Sequence, residues 1–140
     1  MGTLKKSVDW YEDGKIESIF HYHDIDHCYK KVLWSSTGEK QEITHFDWEG
    51  EFHGLRLTYF GNGHLEEEQR FVHGDRSGLH KKYSKDLREL VIENRLNNQR
   101  HGNYEKWYDK VLIEQGQYEN GKKEGVIING TSINSQNATD

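Results

Sequence analysis

The chain has no proline, one cysteine, one methionine and no long apolar run among its 140 residues. Each absence excludes something. Without proline no backbone N–H is removed, so any strand here can enter a hydrogen-bonded ladder. The lone Cys28 excludes an internal disulfide and suits a reducing compartment. No stretch approaches the ~20 apolar residues of a membrane-spanning helix. The opening MGTLKKSVDW lacks the apolar centre of a secretory signal, and Lys6 breaks the myristoylation pattern that Gly2 would start. The expected location is therefore cytoplasmic. Without a secretory signal the sequons at Asn129 and Asn137 carry no weight.

Apolar material is thin as well. Hydrophobic residues make up 32% and charged residues 31%, with a mean hydropathy of -1.07; an average globular domain is roughly 45–50% apolar. The net charge is -5 and the basic residues are scattered. That excludes the electrostatic footprint of a nucleic-acid binder and disfavours an anionic lipid surface. Aromatics, in contrast, are abundant, with four Trp and eight Tyr beside 14 glycines, and the polar residues fall in register instead of in blocks. A fold that buries little per residue by stacking neighbouring units fits this composition.

The register is a repeat. The stretch Gly54 to Gly63, GLRLTYFGNG, has its frame restated at Gly78 (GLHKKYSKD), at Gly102 (GNYEKWYDK) and, in part, at Gly125 (GVIING). An aromatic column runs Trp10, Trp34, Tyr59, Tyr83, Trp107. A turn position follows each, at Gly14, Gly38 and Gly63, then at the degenerate Asp86 and Lys110. A second turn column runs Gly50, Gly74, Asn98, Gly121. Three columns sharing one period of about 24 residues define a repeat protein.

A 24-residue unit is too short for two connected helices and fits a hairpin of two strands of about five or six residues. In KIESIFHYH the alternation places Ile16, Ser18, Phe20 and Tyr22 on one face, and the Asn-Gly pairs mark tight hairpin turns. The predicted fold is all-β. It is a single-layer, twisted antiparallel meander of roughly ten strands, in about five repeats over residues 10–130. A polar lead-in (1–9) precedes it and a polar, disordered tail (131–140) follows. KDLRELVIENRL has helical spacing at Leu87, Leu90 and Val91, but the flanking columns hold their register, so a strand is expected there. The anchor glycines Gly54, Gly78, Gly102 and Gly125 are expected to let the backbone bend and side chains approach closely.

Glycine, then an aromatic five residues on, then a glycine turn and a strand closed by another aromatic and an x-Gly turn: this pattern resembles the MORN-repeat variant. In particular it is similar to the short bacterial proteins called YwqK-type antitoxins. The resemblance is carried by YFGNGHLEEEQRFVHGDRSG and WYDKVLIEQGQYENGKKEG and spans about residues 8 to 130. The sequence departs from the pattern at Cys28, Asp86, Asn98 and Lys110, where glycine would stand. The resemblance implies a hairpin-built sheet with a groove-like face that binds a partner and catalyses nothing.

Candidate sites follow from these columns. HYHDIDHC (21–28) concentrates His21, His23, Asp24, Asp26, His27 and Cys28, ligand types that suit a transition metal. Standard zinc spacing is absent, and His27 occupies a polar repeat position shared with His53, Ser77, His101 and Glu124. No metal, cofactor or catalytic residue is assigned. Cys28 has no identifiable base or oxyanion site, and Glu66, Glu67 and Glu68 alternate between faces.

The aromatic column admits two readings. Trp10, Trp34, Tyr59, Tyr83 and Trp107 pack on the anchor glycines and on Tyr22, Phe46, Phe71 and Tyr118 as a thin core, or part of the column is a binding surface of the Trp- and Tyr-rich kind. The expectation is a non-catalytic module that binds a protein partner through this column, antitoxin- or immunity-like. The alternatives are self-assembly through open sheet ends and a metal protein using residues 21–28.

Overall fold

The computed structural model describes residues 5–128 and 131–132, with the backbone alone for 126–128 and 131–132. The described chain is all-β, and it divides into two compact units, one up to Asp75 and one from Arg76 onward. In the first unit β1 (Lys6–Trp10), β2 (Ile16–Asp24), β3 (His27–Trp34), β4 (Lys40–Phe46), β5 (Phe52–Tyr59) and β6 (Leu65–Val72) lie in sequence order, each antiparallel to the next. A two-residue strand, β7 (Asp75–Arg76), falls at the boundary. In the second unit come β8 (Gly78–Tyr83), β9 (Glu89–Leu96) and the short β10 (Gln99–Arg100), which pairs back onto β9. Then follow β11 (Gly102–Tyr108), β12 (Val111–Glu119), β13 (Lys122–Ile128) and β14 (Thr131–Ser132), again antiparallel in turn.

Each unit is thus a meander of hairpins, as the 24-residue period predicts. The sheet begins at Lys6, inside the stretch read as a lead-in. Of the tail read at 131–140, residues 133–140 lie outside the described residues. Several strands are longer than expected, and β2 and β12 reach nine residues. The ambiguous segment after Lys85 is a strand, because Leu90 is held between Tyr83 and Trp107 on the two neighbouring strands. Pairing on both sides outweighs the helical spacing.

Two turn chemistries explain the turn columns. His73-Gly74, Asn97-Asn98, Asp109-Lys110 and Asn120-Gly121 have both central residues at positive φ, the mirror-image turn that matches strand twist. The other kind is wider and places only its last residue there. Gly38, at φ 95, donates its N–H to the Ser35 carbonyl. Two sequence expectations are corrected here. Asn62-Gly63 is of the wider kind, since Gly63 N–H bonds back to the Phe60 carbonyl. In the fourth copy the positive-φ residue is Leu87 (φ 63), not Asp86. Leu87 N–H bonds to Ser84, as Gly38 does to Ser35, but the loop closes on Glu89 and is one residue longer.

The core is thin and partly polar, which reconciles an ordered fold with the low hydropathy. In the first unit Val32 and Phe71 are buried beside Thr44 and Gln69. Lys31, Thr44, Arg56 and Gln69 stand opposite one another across four strands, and Phe46, Phe52 and Phe71 pack as neighbouring rings. Glu42 closes this row: it accepts the Thr44 hydroxyl and pairs with Lys31 at 3.3 Å and Arg56 at 3.7 Å. Burial pushes its pKa up, but the Thr44 hydrogen bond and the two cations outweigh burial and hold it below its ordinary 4.5. A depressed carboxyl contributes stability above its unfolded value and loses it as pH falls through the folded one. Acid melting of the first unit is therefore expected to shift to lower pH-sensitivity in Glu42→Gln, measured as a flatter dependence of Tm on pH below about 4.5.

In the second unit Tyr104 and Tyr118 form the buried centre with ring centroids 5.0 Å apart. Tyr104 lies against Gly116, which stands opposite it on β12. The anchor glycines do one of the two jobs expected of them: they bend the backbone, but they do not seat the aromatic column. Gly54 and Gly102 sit at φ 96 and 82, where the backbone bends. A Cβ added there would meet His45 and Asn94 respectively, and no ring of the aromatic column. The column does not rest on these glycines.

Candidate functional site

Each column aromatic sits at or next to the end of a first strand and faces the first or second residue of the next, with a bulge just before it at Trp10, Trp34, Tyr59 and Trp107. Trp10 opposes Ile16, Trp34 opposes Lys40 and Tyr59 opposes Leu65 in the first unit. Tyr83 opposes Leu90, and Trp107 opposes Leu90 and Leu112, in the second. Trp10 is 58% exposed, whereas Trp34, Tyr59, Tyr83 and Trp107 are half-buried. These four are neither core nor fully solvated.

In the second unit this produces a cradle. Tyr83, Leu87, Leu90, Ile92 and Trp107 line a concavity of about 440 Å³, with Arg88 and Lys110 also in its wall. Leu87 is the residue that sequence reasoning missed. Its counterparts in earlier copies are glycines, yet here an exposed leucine occupies a left-handed backbone position. A bulky residue at positive φ is an outlier that costs free energy. Arg88 is held across the turn by Asp86 at 4.0 Å and Asp109 at 3.8 Å. The signal in the sequence was spacing: Leu87 stands four residues after Tyr83, as Gly14, Gly38 and Gly63 stand four after their aromatics.

The histidines of 21–28 do not converge. Asp24 pairs with His27 at 2.6 Å, and that hydrogen bond lowers the Asp24 pKa, helped by the Asp26 N–H. His27 stacks on Trp48 at 3.9 Å, and His23 lies between Tyr29 and Trp48. Burial, then Lys30 and Lys6, lower the His21 pKa. Cys28 Sγ points to the Lys30 carbonyl at 3.5 Å. The imidazoles are taken up by stacking and by the turn.

A different group does gather. One ligand atom each from Asp47, His53 and His73 lie within 4.8 Å of one another. Asp47 belongs to the β4–β5 turn, His53 to β5 and His73 to the turn after β6, so antiparallel pairing alone assembles them. Asp47 Oδ1 accepts the N–H groups of Glu49 and Glu51, both at 2.9 Å. Its Oδ2 meets His73 Nδ1 at 2.8 Å, and His53 Nδ1 accepts the His73 backbone N–H at 3.0 Å. The two imidazoles stack at 4.4 Å. The His73 hydrogen bond lowers the Asp47 pKa, and the same bond raises that of His73.

Fold and sites together define a β-hairpin repeat protein with an apolar cradle on one unit and an Asp-His-His group on the other. No protein-family model matches the chain, and no curated protein matches it significantly.

Proposed function

We propose that the protein is a non-catalytic interaction module of the MORN-variant kind, and that a protein partner docks an apolar side chain into the cradle of the second unit. The observation that carries this reading is Leu87. A leucine kept at φ 63, where glycine would relieve the backbone, is best accounted for by what its side chain does in the cradle wall. The cradle is lined mainly by aromatic and aliphatic side chains, which supports recognition over chemistry. The resemblance to antitoxin-type proteins makes an inhibitory or immunity partner the form to test.

Leu87→Gly separates binding from folding. It removes part of the cradle wall and relaxes a left-handed residue, so the melting temperature is expected to hold while partner affinity falls. Trp107→Ala is expected to weaken the same partner by about 30-fold or more, the scale of a hot-spot residue near 2 kcal/mol. The measurement is affinity capture from the native host followed by titration with the purified partner. A partner bound equally well by wild type, Leu87→Gly and Trp107→Ala would reject the cradle.

A second reading rests on β1. Among the described residues it pairs with β2 and no other strand, and it ends in the exposed Trp10. Such an edge is a template for a second copy. Light scattering showing a concentration-dependent oligomer that Val8→Pro dissolves would favour self-assembly.

A further inference from the structure

We propose that Asp47, His53 and His73 form a binding site for a zinc-class divalent cation, which clasps the β4–β5 turn to the turn after β6. Two imidazoles and one carboxylate are the donor set that late first-row cations take in preference to magnesium or calcium. The carboxylate is prepared for the role. Its Oδ1 is fixed by two backbone N–H groups, which leaves Oδ2 aimed at His73, the outer-shell orientation that ligating carboxylates receive. The Asp47 side chain is only 5% exposed, whereas that of His73 is 62% exposed. One donor is thus held inside the fold and another stands at the solvent-facing side.

The adjustment needed is small. Metal–ligand bonds of about 2.0–2.1 Å put tetrahedral donors about 3.3 Å apart, and the three donors already lie within 4.8 Å. His73 Nδ1 already stands 2.8 Å from Asp47 Oδ2, so this pair opens by about half an ångström to admit the cation. The cation takes the place of the proton now shared by His73 and Asp47. The surroundings favour positive charge, because the Glu49 and Glu51 carboxylates also act on His73. Water completes the shell.

The test is titration of the full chain with Zn²⁺ against a chromogenic chelator, repeated with Mg²⁺, with melting temperature and a Co²⁺ spectrum as further readouts. One equivalent of Zn²⁺ is expected to bind and to raise Tm, while Mg²⁺ does neither. His53→Gln and His73→Asn are each expected to weaken binding by at least ~10-fold; Asn tolerates the left-handed position of residue 73, which keeps the turn. The His23→Ala/His27→Ala double variant is expected to bind as wild type does. The Co²⁺ spectrum is expected to lack thiolate charge transfer, since Cys28 is not a ligand. Three results would each overturn the site: no zinc binding by the wild type, binding that survives in folded His53→Gln and His73→Asn, or loss confined to the His23/His27 variant. Should either single variant unfold, thiolate charge transfer in the wild-type Co²⁺ spectrum would count against the site and its absence with one bound equivalent would uphold it.

Discussion

Tyr104→Ala is expected to destabilise the second unit by about 3–5 kcal/mol, the range for truncating a fully buried large aromatic. Tyr104 is 1% exposed, the most buried aromatic among the described residues. Its ring packs on Tyr118 and on Gly116, and the Lys123 ammonium lies 5.1 Å from its centroid. Its hydroxyl donates to Glu114 at 2.5 Å, and Glu114 also takes Lys123 at 3.1 Å and Lys106 at 3.7 Å. Burial, with help from the Glu114 carboxylate, pushes the phenol pKa up, so the hydroxyl stays protonated as the donor. At roughly 0.05–0.15 kcal/mol per residue, a unit of about 60 residues holds some 3–9 kcal/mol in all. The truncation consumes a large part or the whole of that. Tyr104→Phe removes the hydroxyl and keeps the ring, and is expected to cost only about 1 kcal/mol, because Glu114 retains both lysines. Urea denaturation followed by fluorescence in a background where Trp10, Trp34 and Trp48 are replaced by Phe leaves Trp107 to report the second unit. A Tyr104→Ala loss below 1 kcal/mol would show that the ring is not the centre of this core.

Gly116→Ala should cost about 1–3 kcal/mol, the range for overpacking a filled site. The sign is informative. At a strand position with ordinary φ, replacing glycine by alanine normally stabilises by about 0.4–1 kcal/mol through the unfolded chain. Here the new Cβ would stand 2.9 Å from Tyr104 Cε1 and 3.0 Å from the carbonyl oxygens of Glu124 and Gly125. A ring can tilt, but two backbone oxygens on the neighbouring strand cannot move without breaking the β12–β13 register, which already bulges between Gln115 and Gln117. In a Tyr104→Ala background the ring contact is gone and the carbonyl contacts remain. The two substitutions are therefore expected to be less than additive, with a coupling energy of about 0.5 kcal/mol or more. Full additivity would mean that Gly116 is not the seat of the Tyr104 ring.

These two substitutions fall on residues that the aromatic column did not single out, and the reason is physical. The column was legible because it is periodic; Tyr104 and Gly116 matter because β11 and β12 pair them directly. Of the four second aromatics expected in the thin core, Phe71 and Tyr118 are buried, while Tyr22 and Phe46 are half-buried. Thr44 and Gln69 take burial that an apolar pattern search would not assign to them. They can do so because Glu42, Lys31 and Arg56 surround the row with charge and hydrogen bonds.

By itself the sequence determined the hairpin period, the all-β class, the turn positions at Gly50, Gly74, Asn98 and Gly121, and the strand at Glu89–Leu96. These are local matters: alternation sets the strand, and positive φ selects the turn residue. Only the tertiary structure decided that the fourth turn runs past Leu87 and closes on Glu89, one residue later than its counterparts close. It alone brought Asp47 to His73 across 26 positions, because that approach depends on the register of β4, β5 and β6 together. Register is a property of paired strands, and no single strand carries it.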